Sequence, residues 1–163
     1  MKVIIVDDEE LSLNRLGNML ADISGVEVCG QFYTAAEALQ YINENKLDAV
    51  FLDICLPEID GLALANKIKE IDDSVNVVFV TGYNEYAVRA FELEAVDYLM
   101  KPISSNRLEK TVQRLQRIRI GAGRPSRPKM KVSCFGGFHA AGYDSDSGIV
   151  NWRSPKTEEL FAF

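Results

Sequence analysis

A chain of 163 residues, 47% hydrophobic and 26% charged, has room for one domain of ordinary size and part of another, and its composition is globular rather than disordered. No apolar run approaches the roughly 20 residues of a membrane span, and the opening MKVIIVDDEE runs straight into acids, unlike a secretory signal. Cys29, Cys55 and Cys134 are odd in number and lack CxxC or CxxH spacing, which fits a reduced cytoplasmic chain better than a zinc or disulfide framework.

The net charge of −6 is unevenly spread. Residues 1–103 hold 7 Lys and Arg against 19 Asp and Glu, a net of −12, while residues 104–163 hold 11 against 5, a net of +6. Such a split fits an acidic module tethered to a part that meets a polyanion; a solvated basic helix and linker is the plainer alternative.

In chain order, short apolar strands alternate with helical patterns. The strands are Lys2–Val6, Val26–Cys29, Ala49–Leu52, Val75–Val80 and Val96–Met100, several of them continuously apolar, as strands covered on both faces are. Leu13, Leu16, Leu20 and Ile23 share one helix face. Thr34 and Glu37 form a capping box for a second helix. Leu62, Ala65 and Ile68 mark a third, entered through the turn Pro57-Glu58-Ile59-Asp60-Gly61, and Tyr86, Ala87, Ala90 and Phe91 mark a fourth. After Pro102, Ser104 or Ser105 caps a fifth helix whose apolar face is Leu108, Val112, Leu115 and Ile118. Its basic residues Arg107, Lys110, Arg114, Arg117 and Arg119 are open to dimerisation, linkage or proximity to DNA.

Five β–α units imply an α/β fold: a doubly wound, five-stranded parallel sheet of flavodoxin-like order 2-1-3-4-5. The expected domains are residues 1–120, a Gly-, Pro- and Arg-rich linker at 121–129, and a second unit at 130–163. In the second unit, Lys131–Phe138 alternates like a strand, Asp144–Gly148 reads as a turn and Ile149–Trp152 as a second strand. Ser154-Pro155 opens a helix that stops while still apolar and uncapped, the pattern of a truncated domain. His139, the one histidine, reads as a partly exposed strand residue, not as part of a triad or metal site. Trp152 and its neighbouring phenylalanines read as core of that unit.

The chemistry lies in how the strands end. The first runs into Asp7-Asp8-Glu9, the third into Asp53, the fourth into Thr81 and the fifth into Lys101. In an open α/β sheet this edge is where ligands bind. Carboxylates gathered there repel one another and take up protons unless cations share the site. Lys101 supplies one charge; a hard divalent ion with oxygen ligands, Mg²⁺, supplies the rest. On the residues alone, Asp8 and Asp53 are the direct ligands and Asp7 acts through water. Asp53 can then attack phosphorus to give an aspartyl phosphate. Two plainer alternatives stand beside this: Asp7 and Asp8 as a helix-start turn favoured by the helix dipole, and Asp53 as a buried acid paired with Lys101. A dinucleotide site is disfavoured, because acids stand where a Gly-rich phosphate loop belongs.

The runs VDDEE, FLDICLPEIDG and VFVTGYNEYAVRAFELEAVDYLMKPI resemble the receiver domain of two-component response regulators over about the first 120 residues. The resemblance implies that Asp53 is the phosphoacceptor and that Asp7 and Asp8 form the acidic metal pocket, with Cys55 giving its backbone carbonyl to Mg²⁺. It also implies that Thr81 moves to meet the phosphoryl oxygen, Lys101 pairs with that oxygen, Tyr98 turns inward with Thr81, and the Lys101–Pro102 bond is cis. The implied partner is a sensor histidine kinase, with a homodimer contact on the fourth helix, fifth strand and fifth helix. Residues 131–163 resemble, over a shorter stretch, the start of a winged-helix DNA-binding effector of the antibiotic-regulatory activator type. A fragment of it without a recognition helix is not expected to bind DNA specifically. The expected protein is thus a cytoplasmic, phosphorylation-dependent regulator of transcription and not an enzyme beyond self-phosphorylation and self-dephosphorylation. A Mg²⁺-dependent aspartyl phosphohydrolase, with Glu9 as general acid, and a phosphorylation-independent scaffold are the alternatives.

Overall fold

The computed structural model describes residues 1–57, 59–83, 86, 90, 93–121, 131–133 and 139–141. The chain divides into two compact units, Met1–Gly121 and Ala122–Phe163.

In the first unit, strands β1 (Lys2–Val6), β2 (Glu27–Phe32), β3 (Ala49–Leu52), β4 (Asn76–Thr81) and β5 (Asp97–Met100) form one sheet of order β2-β1-β3-β4-β5, every pairing parallel. This is the flavodoxin-like winding expected from the sequence. The described helices are α1 (Glu10–Ala21), α2 (Ala35–Glu44), α3 (Gly61–Ile71) and α4 (Ser105–Arg119). Helix α4 is the fifth helix of the sequence reading. The fourth falls largely outside the described residues, though the Ala90 amide donates to the Tyr86 carbonyl at 3.0 Å, one helical step back.

Strand period 2 sorts the sheet into two cores. Ile4, Val6, Val50, Leu52, Val77 and Phe79 pack on one face with α2 and α3, through Ala38, Ile42, Leu62, Leu64, Ala65 and Ile68. Val3, Ile5, Ala49, Phe51, Val78 and Val80 face the other way, against Leu13, Leu16 and Leu20 of α1 and Leu108, Val112 and Leu115 of α4. Past their first residues, strands β1, β3 and β4 therefore have nowhere to place a polar side chain until they end.

Several boundaries differ from the sequence reading. Strand β2 runs on to Phe32, because as an edge strand it tolerates Gly30 and the exposed Gln31. Helix α1 stops at Ala21, so Ile23 packs from the following turn instead of from the helix. The capping box is half formed: the Thr34 hydroxyl accepts from the Glu37 amide at 3.3 Å, but it also donates to the Glu37 carboxylate at 2.9 Å, in place of a return bond to the Thr34 amide. Ser104 is the cap of α4, accepting from the Arg107 amide at 3.4 Å. The Lys101–Pro102 peptide is cis.

In the second unit, β6 (Lys131–Ser133) and β7 (His139–Ala141) pair antiparallel. Of the strand expected over Lys131–Phe138, Lys131–Ser133 is described as strand and pairs with His139–Ala141, while residues 134–138 lie outside the described residues. The expected turn at Asp144–Gly148, the strand Ile149–Trp152 and the helix after Ser154 lie outside the described residues.

Candidate functional site

Four parallel strands, β1, β3, β4 and β5, release their chains at one edge. The Asp7 amide is held by the Phe32 carbonyl at 3.1 Å and the Asp53 amide by the Val6 carbonyl at 2.9 Å, so the two acids leave neighbouring strands side by side. At the end of β4 the Thr81 carbonyl accepts from the Lys101 amide at 2.8 Å, which sets Lys101 beyond β5 on the same edge.

Gly61 closes the floor. Its amide bonds the Ile54 carbonyl at 2.8 Å, and a Cβ there would stand 2.2 Å from the Asp53 carbonyl oxygen and 2.7 Å from the Ile54 Cα. The turn from Cys55 to Asp60 folds back on itself through a bridge between those two residues, and the Asp60 side chain caps α3 by accepting from the Leu62 amide at 2.9 Å. Only a residue without a side chain lets α3 start this close to the acid.

The side chains converge as the strand ends foretold. Lys101 Nζ lies 2.7 Å from Asp7 Oδ2, 2.8 Å from Asp53 Oδ2 and 3.7 Å from Glu9 Oε2. Asp7, at 2% exposure, also accepts the Glu9 amide at 3.0 Å, and Asp53, at 7%, accepts the Cys55 amide at 3.3 Å. Asp8 is exposed, and carboxylate oxygens of Asp7, Asp8 and Asp53 all lie within 4.8 Å of one another. The expected Asp53–Lys101 pair is thus real but shared: one ammonium serves Asp7 and Asp53, with the Glu9 carboxylate beside them, while Asp8 adds a further carboxylate next to the two buried acids.

The protonation equilibria record the imbalance. Burial pushes the Asp7 carboxyl above its ordinary range, and its bonds to Lys101 and the Glu9 amide do not bring it back. Burial of Lys101 disfavours its charge, yet the hydrogen bonds and attraction of Asp53 and Asp7 prevail and hold its pKa above the ordinary value. A second hard cation suits this donor set, since every available side-chain ligand is a carboxylate oxygen and one buried acid is under-neutralised.

Thr81 is fully buried at the end of β4, and its hydroxyl accepts from the Tyr83 amide at 3.4 Å. Tyr98 on β5 packs its ring 6.4 Å from that of Phe79, centroid to centroid, and donates its hydroxyl to the Tyr83 carbonyl. The segment just after Thr81 is therefore joined to both residues.

A second cluster escaped the sequence reading. Asp97, 7% exposed at the start of β5, is gripped by Arg107, whose Nη1 reaches Asp97 Oδ2 at 2.7 Å, and by the Thr111 hydroxyl at 2.8 Å. Burial opposes the Asp97 charge, but Arg107, Thr111 and the Tyr98 amide outweigh it and hold the carboxyl below its usual value. Arg114 donates to the Val96 carbonyl at 2.8 Å and Arg119 lies 3.4 Å from Asp48. Three of the five basic residues on this helix thus have partners within the unit. The available signal was an acid at the start of an otherwise uncharged strand, with Arg107 and Thr111 one turn apart on the next helix.

The profile of the response regulator receiver domain matches residues 3–113. The chain belongs to that family. It is 40% identical over 116 residues to the transcriptional regulatory protein YpdB of Escherichia coli, covering 71% of this chain and 48% of that protein. Among solved structures, the response regulatory domain of protein mrkE from Klebsiella pneumoniae aligns with a TM-score of 0.67 at 41% identity, over 71% of this chain and 95% of that one. A CheY-like receiver domain protein from Methanospirillum hungatei aligns with a TM-score of 0.66 at 30% identity, over 73% and 96% of the two chains. The chain spans about half the length of the curated relatives it matches.

Proposed function

We propose that this chain is the receiver part of a two-component response regulator, and that Asp53 accepts a phosphoryl group from a phosphohistidine of a sensor kinase. The observation that carries the reading is the gathering of Asp7, Asp8 and Asp53 at the carboxyl edge of the sheet, with the Lys101 ammonium bridging Asp7 and Asp53. An Asp53 carboxylate oxygen forms the new bond to phosphorus as the P–N bond to imidazole breaks, and the imidazole departs with that electron pair. Lys101 then moves its hydrogen bonds from the free carboxylates to a phosphoryl oxygen. Thr81 supplies a hydroxyl to another oxygen, and Tyr98 follows through the segment that carries Tyr83.

Asp7, Asp8 and Asp53, with the backbone carbonyl of Cys55, would hold Mg²⁺. When bound, this ion neutralises charge on the transferring phosphoryl oxygens. The rearranged surface around β5 and α4 would carry the signal to a homodimer contact. Residues 130–163, following a linker at 121–129, are read as the beginning of a winged-helix effector that controls transcription through DNA in the cytoplasm. Two findings support this: YpdB is named a transcriptional regulator, and the chain spans about half of it. Among the described residues no helix is long and apolar enough to cross a membrane.

Acetyl phosphate with Mg²⁺ should add one phosphoryl group to the protein, seen by intact-mass spectrometry, and chelation with EDTA or the substitution Asp53→Asn should abolish it. Unchanged labelling of Asp53→Asn would refute the assignment. Rapid multiple turnover of p-nitrophenyl phosphate would instead favour the aspartyl phosphohydrolase.

A further inference from the structure

Glu9 is placed with unusual care for an exposed residue. It stands at the N-cap of α1, yet its side chain caps no helix amide. Its carboxylate accepts the Ser12 hydroxyl at 2.8 Å and lies 3.7 Å from Lys101, while its own amide is tied to Asp7. Its side chain is 69% exposed. Glu9 and Ser12 therefore hold a negative charge on the solvent side of the one lysine that the incoming phosphoryl group must reach. A cavity of about 360 Å³ opens there, lined by Asp7, Glu9, Ser12, Arg15, Lys101 and Ile103 among others.

Resting on the reading of Asp53 as phosphoacceptor, we propose that Glu9 is a specificity-determining screen beside Lys101, selecting phosphodonors by their charge. A carboxylate fixed beside Lys101 repels a donor in proportion to the donor's own negative charge. Small dianionic acyl phosphates are disfavoured most and monoanionic phosphoramidates less. A phosphohistidine delivered by a docked protein overcomes the repulsion through its wider contact surface. Ser12 is a positioning residue, since its hydroxyl keeps the carboxylate turned toward Lys101.

The test measures phosphorylation rates of the whole chain at saturating Mg²⁺, near neutral pH, with acetyl phosphate as the dianion and phosphoramidate as the monoanion. At low salt, Glu9→Gln should speed the acetyl phosphate reaction about sevenfold and the phosphoramidate reaction about threefold, as expected for one unit charge roughly 7 Å from each donor in a water-like medium. High salt should shrink both gains. Ser12→Ala should move the ratio of the two rates in the same direction by less. A change in metal affinity or folding would alter both donors equally and leave that ratio still. A ratio that is unchanged in Glu9→Gln, or that shifts toward phosphoramidate, overturns the screen. Asp53→Asn, run alongside, separates the two claims: modification surviving that substitution would overturn the phosphoacceptor reading itself, whatever the donor ratio.

Discussion

Asp7 and Asp97 are both buried acids at strand ends of the same sheet, and the fold treats them in opposite ways. Asp97 is met by the Arg107 guanidinium, the Thr111 hydroxyl and the Tyr98 amide and shares its main cation with no other carboxylate among the described residues, and its carboxyl is held below the ordinary range. Asp7 shares the Lys101 ammonium with Asp53 and Glu9, and burial drives its carboxyl upward. The first arrangement is complete and locks α4 to β5. The second is short of positive charge, which is a cost to the fold and the condition for taking a cation. The contrast teaches that burial alone does not mark a functional acid; burial with too few partners does.

The comparison breaks most visibly if its closed half is opened. Arg107→Ala should destabilise the protein by about 3 kcal/mol, because it leaves the Asp97 carboxylate buried without its main cation. Urea unfolding measures this, and a loss below about 1 kcal/mol would mean that Arg114, 3.8 Å away, suffices. Next in size is Gly61→Ala, where a methyl group would collide with the Asp53 backbone. It should cost about 2 kcal/mol and also slow phosphorylation, whereas a loss of stability with unaltered phosphorylation would show that the floor of the site moves independently. On the open half the sign reverses: Asp7→Asn should stabilise the Mg²⁺-free protein by about 1 kcal/mol, by removing a charge that burial disfavours. Thermal unfolding in EDTA checks this, and adding Mg²⁺ should narrow or reverse the gain, since only the wild type then keeps its full ligand set.

The smallest effect is in the acid limb of stability. Because the Asp97 carboxyl titrates below its unfolded value, its contribution is whole above about pH 4 and disappears as pH falls through the folded value. Asp7 acts oppositely: its penalty is full above its raised folded pKa and is relieved as pH falls from there toward the unfolded value. Asp97→Asn should therefore flatten the loss of stability on acidification, and Asp7→Asn should steepen it. Chemical-denaturation curves at stepped pH distinguish them, and identical changes in the two variants would contradict the assignment of opposite partners.

Much of this was legible in the sequence because the first unit states its pattern redundantly. Strands β1 and β3 are covered on both faces, so their apolar runs had only one reading, and the first polar residue after each had to fall at the sheet edge. Asp7 and Asp53 were found by that rule, and Lys101 by its place after the apolar end of the edge strand β5. What stayed hidden depended on side-chain direction and not on period. Nothing in the spacing says that Arg107 turns to Asp97 while Lys110 does not, or that Glu9 leans toward Lys101 instead of capping its helix. The edge strand β2 reads short because Gly30 and Gln31 break its apolar run, although an edge strand accommodates both.

Titration calorimetry with Mg²⁺ at neutral pH probes the charge deficit itself. The account predicts saturable uptake of one ion by the wild-type protein, severe weakening in Asp7→Asn and Asp8→Asn, and no change in Asp97→Asn, whose carboxylate is already matched. Equal uptake by the wild type and the Asp7 and Asp8 variants, or none by any of them at millimolar concentrations, would contradict it.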